Sequence, residues 1–353
     1  MRGVKRYSWL LVLAMMILVV STVQAQSSRI AFSSDREDPD PPILERHIWK
    51  MKDEGEIPPE PPAVQMTDPP GQDFEAHNPT IAQNGYKVFY DWVDTELWMA
   101  DFNAPGNEVQ ILNNARHPDS MTLPNYPLGG GRERILFTTE VTSGTVDHYQ
   151  VWMAIVDIDD KTLEGPAVVM TPVGNKDNTQ PAFCGDNHFV WALEDSYGGA
   201  ICYQEFDNDG PVGTRECRFY NDEPAIIDLY PSCDPDGDYI GWAREIPPVF
   251  SGELQIFKIS VTDFLKDPED PEDPFDPDDA VQLTDEPDTV AIMPTWSPSG
   301  SQIAYASTRS PTATSSDDDY EIWAMNQNGS GHTPLTDNSI DDREPNWGPA
   351  ALP

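Results

Sequence analysis

Six times along this chain a proline opens a short stretch of similar character, at similar intervals. "NPTIAQNG" from Asn78, "YPLGGG" from Tyr126, "QPAFCGDN" from Gln180, "YPSCDPDGDYIGWA" from Tyr230, "MPTWSPSGSQIAYA" from Met293 and "EPNWGP" from Glu344 carry the motif. Their prolines, Pro79, Pro127, Pro181, Pro231, Pro294 and Pro345, are spaced by 48, 54, 50, 63 and 51 residues. A repeat of this length restricts the chain to a few architectures, in which one supersecondary unit is stacked or arranged radially.

Two further patterns recur in fixed order behind each proline. One is a branched aliphatic followed by a bulky residue: Ile48-Trp49, Leu97-Trp98, Val151-Trp152, Ile201-Cys202, Ile256-Phe257 and Ile322-Trp323. The other is an alternating segment ending in a polar residue: "VQMTD" from Val64, "VQILN" from Val109, "VVMTP" from Val168, "VQLTD" from Val281 and "HTPLTD" from His332, with a weak "RFYND" from Arg218. Between proline and aliphatic lie apolar runs such as "RIAFSS", "KVFYDW" and "QIAYAS". Short runs rich in β-branched and aromatic residues, bounded by Gly, Pro, Asp and Asn, are strands. Each unit therefore supplies four strands, A to D, and radially repeated four-stranded units make a β-propeller.

The expected fold is all-β, a single six-bladed propeller over residues 26–353. The blades are 29–68 plus 344–349, 78–114, 125–172, 180–222, 230–285 and 293–337. The first unit begins with strand B at Arg29 and has no strand A of its own. The segment around Pro345 and Trp347 supplies it, so the last strand closes the ring and removes the free edges of an open array.

Residues 1–25 have the make-up of a secretory signal peptide: Arg2, Lys5 and Arg6, a 12-residue apolar run from Trp9 to Val20, and small residues at Val23 and Ala25. The run is too short for a membrane anchor, which needs about 20 apolar residues, and no Cys follows to take a lipid. The expected product is exported, periplasmic or secreted, monomeric and not inserted in the membrane. It would carry 18 basic and 61 acidic residues, a formal charge of −43. Such a surface repels nucleic acid and anionic membranes. It suits solubility in a saline habitat, or specific binding of cations or a basic partner.

The repeat "MPTWSPSGSQIAYASTR…YEIWAMNQNGSGHTPLTD" resembles the TolB-type propeller repeat, with Pro-x-Trp-Ser-Pro, an Ile-Ala-Tyr strand, Ile-Trp-x-Met and Leu-Thr. The likeness extends over residues 29–349 and is faint in blades three and four. It implies the propeller fold and leaves activity open, since that family contains interaction modules, substrate-gating domains and some metal-dependent polysaccharide lyases. The TolB N-terminal α/β domain and the Gly-x-Ser-x-Gly elbow of related peptidases have no counterpart here, so the expectation is a propeller without them.

Most conspicuous residues have structural work. Gly237 and Gly300 suit A-to-B hairpins that need positive φ, and Trp49, Trp98, Trp152, Trp323 and Phe257 suit packing between blades. Four cysteines within 50 residues, without a close pair, fit disulfides better than zinc. Cys202 and Cys217 are equidistant from the Asp209–Gly210 bond and face each other if the hairpin is symmetric. Cys184 and Cys233 lie on innermost strands of adjacent blades and can pair across them.

Three acidic features carry candidate chemistry. "EFDNDGPVGTRE" places Glu205, Asp207, Asp209 and Glu216 at EF-hand spacing, a weak candidate calcium loop that hairpin turn chemistry explains more simply. Loops from D of one blade to A of the next carry Glu75, His77, Asp177, Asp228, Asp288, Asp342, Arg343 and Glu344 toward one mouth of the channel. There carboxylates could hold a hard cation or perturb one another's titration, or simply be neutralised by neighbours such as Arg343 and Lys176. The tracts Asp35–Arg46, Asp53–Pro62 and Lys266–Asp279 are expected to be extended, projecting loops.

Nothing here requires a cofactor, and Ca2+ is the ion either acidic site would take. The expected function is a non-catalytic module that binds a protein or cell-envelope ligand. The alternative is a cation-dependent, lyase-like carbohydrate-active enzyme working at the channel mouth around His77.

Overall fold

In the computed structural model, residues 28–349 are described except for 37–45, 53–62, 68–74, 94, 123–130, 144–145, 173–175, 196–197, 219–225, 249–251 and 311–318. The signal segment and the tract Asp53–Pro62 lie outside the described residues, as does most of Asp35–Arg46.

Alternating apolar runs form β1 (Arg29–Ser34), β2 (His47–Lys52) and β3 (Val64–Gln65), which blade 1 orders outward behind its innermost strand. Blade 2 is β4 (Ala76–Ile81), β5 (Lys87–Trp92), β6 (Glu96–Asp101) and β7 (Ala104–Asn113). Blade 3 is β8 (Arg116–Thr122), β9 (Arg132–Ser143) and β10 (Val146–Asp157), its outer strand broken into β11 (Thr162–Leu163) and β12 (Val168–Val169). Blade 4 is β13 (Asp177–Cys184), β14 (His188–Asp195), β15 (Gly198–Asp207) and β16 (Gly210–Arg218). Blade 5 is β17 (Asp228–Cys233), β18 (Tyr239–Glu245), β19 (Leu254–Ser260) and β20 (Val281–Gln282), with the short helix α1 (Val261–Phe264) after β19. Blade 6 is β21 (Ala291–Trp296), β22 (Gln302–Ser307), β23 (Glu321–Asn326) and β24 (Thr333–Pro334).

The last strand, β25 (Asp342–Gly348), pairs antiparallel with β1, Ile30 opposite Trp347 and Ser34 opposite Asp342. It also contacts β21 and β4 on either side, so the innermost strands form a complete circle and the molecule is a six-bladed β-propeller. Because strands alternate, each blade buries both faces against its neighbours. The apolar clusters therefore sit between blades, for example Trp323, Tyr305, Trp347 and Phe32 between blades 6 and 1. The once-per-blade aromatics pack there, Trp323 buried and Trp49, Trp98, Trp152 and Phe257 partly so. Gly237 takes φ 77° at its hairpin, and a Cβ there would come within 3.1 Å of the Gly185 backbone of the next blade.

Two expectations need correction. The innermost strand of blade 3 is β8, with Pro118 as its proline, so the blade starts at Arg116 and not at 125; "YPLGGG" falls largely in the undescribed 123–130. The tract Lys266–Asp279 does not project. The Lys266 ammonium lies 3.0 Å from Asp263, 3.0 Å from Asp273 and 3.4 Å from Asp279, and Phe275 packs against the apolar cluster of blades 4 and 5 under the Arg218 guanidinium. One tethered cation and one aromatic anchor fold back a segment whose composition alone predicts extension.

Candidate functional site

Every innermost strand has the same irregularity. The residue before its proline takes a left-handed conformation: Asn78 (φ 48°), His117 (49°), Gln180 (51°), Tyr230 (54°), Met293 (57°) and Glu344 (57°). The pairing register shifts at the same place in all six blades. A non-glycine residue there costs roughly 1 to 2 kcal/mol, and a bulge of this kind re-aims a side chain. Here it turns six side chains onto the axis, where with their prolines they line one half of the channel, a space of 140 Å³.

The other half opens among the A-to-B hairpins and is larger, 380 Å³. Asp119, Ala182, Ser232, Thr295 and Asn346 border both halves and form a waist.

Much of the polar lining is engaged by the fold. Innermost strands of neighbouring blades do not share a backbone ladder, so their inward N–H groups need other acceptors. Glu344 accepts from the N–H of Asn78 (2.7 Å), Asn346 from Ile81 (2.9 Å), Asp119 from Phe183 (2.7 Å), Gln180 from Tyr230 (2.7 Å) and Thr295 from Trp347 (3.3 Å). Between blades 4 and 5 the Cys184–Cys233 disulfide adds a covalent link. The expected Cys202–Cys217 disulfide spans the C-to-D hairpin, but the turn is centred one residue earlier than a symmetric register requires, with Asp207 opposite Gly210, and a bulge between Tyr203 and Glu205 brings the two cysteines opposite each other.

At the narrow end, blades 1 and 2 meet through titratable groups. His77 Nδ1 lies 3.2 Å from Glu344 Oε1. Burial opposes a charge on His77, but the hydrogen bond and charge of Glu344 outweigh it and raise the imidazole to about 9. Burial likewise opposes ionisation of Glu344, and the same histidine with the Asn78 N–H overcomes it, bringing the carboxyl to about 2. Behind them Asp91 is fully buried on β5. It accepts from Asn78 Nδ2 (2.9 Å) and the His117 N–H (2.8 Å) through one oxygen, while its Oδ1 has no hydrogen-bond partner. Burial lifts this carboxyl to about 7 despite those donors.

Of the residues picked from the sequence, only His77 and Glu344 come together, with Glu75 at the fringe, 3.9 Å from His77 and largely exposed. Asp177 accepts from the Tyr149 N–H and lies 3.9 Å from His148. Asp228 is fully buried under Trp242 Nε1 (2.7 Å) and Arg244 (2.9 Å). Asp342 is held by Arg36, Ser34 and Asn338. Arg343 pairs with Asp341 and covers the Tyr320 ring, and Asp288 is exposed. These acids serve separate blades and do not converge on the axis.

The EF-hand spacing is a hairpin. Glu205 and Asp207 lie on β15 and Glu216 on β16, opposite Tyr203, while Asp207 caps the turn by accepting from the N–H groups of Asp209 (2.8 Å) and Gly210 (3.1 Å). Residues strung along two extended strands cannot wrap one ion. Among the described residues, no three His, Cys, Asp or Glu side chains are placed to hold a metal.

Sequence reasoning missed Asp91, Asp119 and His117. A charged residue inside the apolar run "KVFYDW" was a usable signal for Asp91. The other two were hidden by the displaced start of blade 3.

No family model and no curated protein matches the sequence. Similar solved structures include a puromycin-hydrolyzing peptidase of Mycobacterium tuberculosis, at 11% identity and TM-score 0.47, matching 82% of this chain and 41% of that one. Prolyl oligopeptidase B of Galerina marginata matches at 9% identity and TM-score 0.45, over 93% of this chain and 47% of its own. A GH43 endo-arabinanase of Bacillus licheniformis matches at 12% identity and TM-score 0.44, over 74% and 96%. This chain thus spans less than half the length of the two peptidases, and at these identities the likeness concerns fold alone.

Proposed function

We propose that this chain is an exported, TolB-like propeller that binds a protein or cell-envelope ligand through its axial channel and does no chemistry on it. The observation that carries this reading is the engagement of the narrow-end acids and bases. Asp228 and Asp342 are buried against cations and donors of the fold itself, Glu344 at the channel wall is taken up by His77 and the Asn78 N–H, and the Asp91 carboxyl is fully buried. A general acid or base has to reach a substrate proton, and these groups are already engaged within the fold or buried in it. Two disulfides support an oxidising, exported location. A lyase-like reaction centred on His77 is served less well, since His77 is occupied by Glu344.

The test is affinity capture from an envelope fraction, run beside turnover assays on pectin-type and other acidic glycans with and without Ca2+. Specific retention of an envelope protein or polymer with no glycan cleavage is the expected result. Cleavage that disappears on H77A would overturn the proposal in favour of an enzyme.

A further inference from the structure

One cluster of charge runs against the composition of the chain, which has 61 acidic and 21 basic residues. Arg29 opens β1 and lies directly opposite Lys52 at the end of β2, and Lys50 lies opposite Ala31. Strand alternation puts the three basic side chains on one face of blade 1, the face that packs Ala31 and Ile48 against blade 2. Phe102, in the turn between β6 and β7, meets them there. The Arg29 guanidinium and the Lys50 ammonium each lie 4.9 Å from the centroid of its ring. Like charges directly opposite on a sheet destabilise it. Other cations of the same two blades meet carboxylates, Arg36 that of Asp342, Arg46 that of Asp35 and Lys87 that of Asp101. Among the described residues, Arg29, Lys50 and Lys52 form no ion pair. Burial and the charge of Arg29 hold the Lys50 ammonium below its ordinary value, with no acid opposing them.

The hydrogen-bonding capacity of the cluster is largely unused. Arg29 gives one of its five N–H groups to Asn103 Oδ1 (3.1 Å), and Lys50 gives one of its three to the Phe102 carbonyl. Lys52 is exposed and gives none among the described residues. Three cations, one of them a planar fork, match an anion with several oxygens and more than one charge. A carboxylate offers two oxygens and one charge. A phosphate monoester offers three terminal oxygens and between about 1.5 and 2 charges at neutral pH. We propose that Arg29, Lys50 and Lys52 form a binding site for a phosphate monoester group at the junction of blades 1 and 2. The inference rests on the reading of the chain as a ligand-binding propeller and names one group that its ligand carries. The acidic remainder of the molecule repels a long diester backbone, so the site takes a single terminal group.

The experiment uses the full chain, isotope-labelled for NMR and titrated with methyl phosphate at constant ionic strength, beside dimethyl phosphate and acetate. Amide shifts should be confined to the surroundings of Arg29, Lys50, Lys52 and the Phe102 turn. Methyl phosphate should bind about tenfold more tightly than either control. K50M keeps the aliphatic stem over Phe102 and K52Q changes an exposed side chain, so each should fold and lose about threefold in affinity, with about tenfold lost in R29Q/K52Q. Because K52Q removes a like charge, its melting temperature without ligand should equal or exceed that of the wild type. Shifts spread over other cations such as Arg215, or unchanged affinity in K50M and K52Q, would overturn the proposal. Acetate or dimethyl phosphate binding as tightly as methyl phosphate would overturn the monoester assignment. Failure of methyl phosphate to bind, while the envelope capture yields a partner that R29Q/K52Q also retains, would sink the anion site and leave the binding-module reading standing. Methyl phosphate bound at these residues, with no partner captured, would uphold the site and count against that reading.

Discussion

Replacing Glu344 with Gln removes one charge and keeps the shape of the junction where the last strand meets blade 2. The Asn78 N–H keeps an acceptor, so the change isolates the pairing with His77. In the folded protein His77 moves from 6.5 to about 9 and Glu344 from 4.5 to about 2. Both displacements are about 2.5 pH units, one interaction seen from its two ends, equivalent to about 3 kcal/mol. His77 binds its proton more tightly folded than unfolded, so its contribution is complete below 6.5 and lost as the pH rises through about 9. Glu344 is shifted the other way, and its contribution is lost as the pH falls from 4.5 toward 2. The deficit of E344Q is therefore greatest between these limits and vanishes in alkali. With an unfolding entropy of about 2.1 cal/mol/K per residue, the roughly 260 described residues give about 0.55 kcal/mol/K, so the expected fall in Tm is about 5 to 6 °C. Calorimetry at pH 6 and pH 9.5 should find that fall at the first and less than about 1 °C at the second. An NMR titration should find His77 returned below its ordinary value by burial. An equal deficit at both pH values, or a His77 that still titrates near 9 in the variant, refutes the pairing.

Three further outcomes follow from the same geometry. Burial raises Asp91 to about 7, Asp119 to about 6 and Glu321 to about 8, so each binds a proton more tightly folded than unfolded and stability falls as pH rises from about 4 to 8. The wild-type melting temperature should be higher at pH 5 than at pH 8, and a flat or rising profile counts against these burials. Trp347 is 6% exposed, with its indole on Ser28 and its N–H on Thr295. W347A should lose about 3 to 5 kcal/mol in denaturant titrations, and deletion of 342–353 should abolish cooperative melting; an unchanged melt would mean that the ring does not depend on its closing strand. The double variant C202A/C217A, which opens a loop of separation 15, should lose about 3 kcal/mol, with hydrogen exchange rising first in β15 and β16, and an unmoved denaturant midpoint contradicts it.

The ring and its closure were legible because both follow from periodicity, and period-two side-chain alternation is local information; the Cys202–Cys217 bridge exists, but through a bulge that a symmetric hairpin does not contain. What escaped was non-local. A proline at intervals of about fifty residues looked like the recurring element, which drew the start of blade 3 to Pro127. The recurring physical feature is the left-handed residue before the proline, and its identity varies freely through Asn, His, Gln, Tyr, Met and Glu. Channel-facing residues were sought in loops, whereas the structure takes them from the bulged middle of each innermost strand. Acids such as Asp228 and Asp342 look available in sequence because their partners, Arg244 and Arg36, lie 16 and 306 residues away.

Sixfold repetition explains why the channel should be read by subtraction. Six strands that converge on an axis leave inward N–H groups without a ladder, and each junction needs a side chain to meet them. Glu344, Asn346, Asp119, Gln180 and Thr295 do so at four of the six junctions. Those residues are fixed by folding even though they line a cavity, and changing them tests stability before it tests recognition. Side chains that line the wider half and accept no such N–H, among them Asp186 at its exposed rim, carry none of that load.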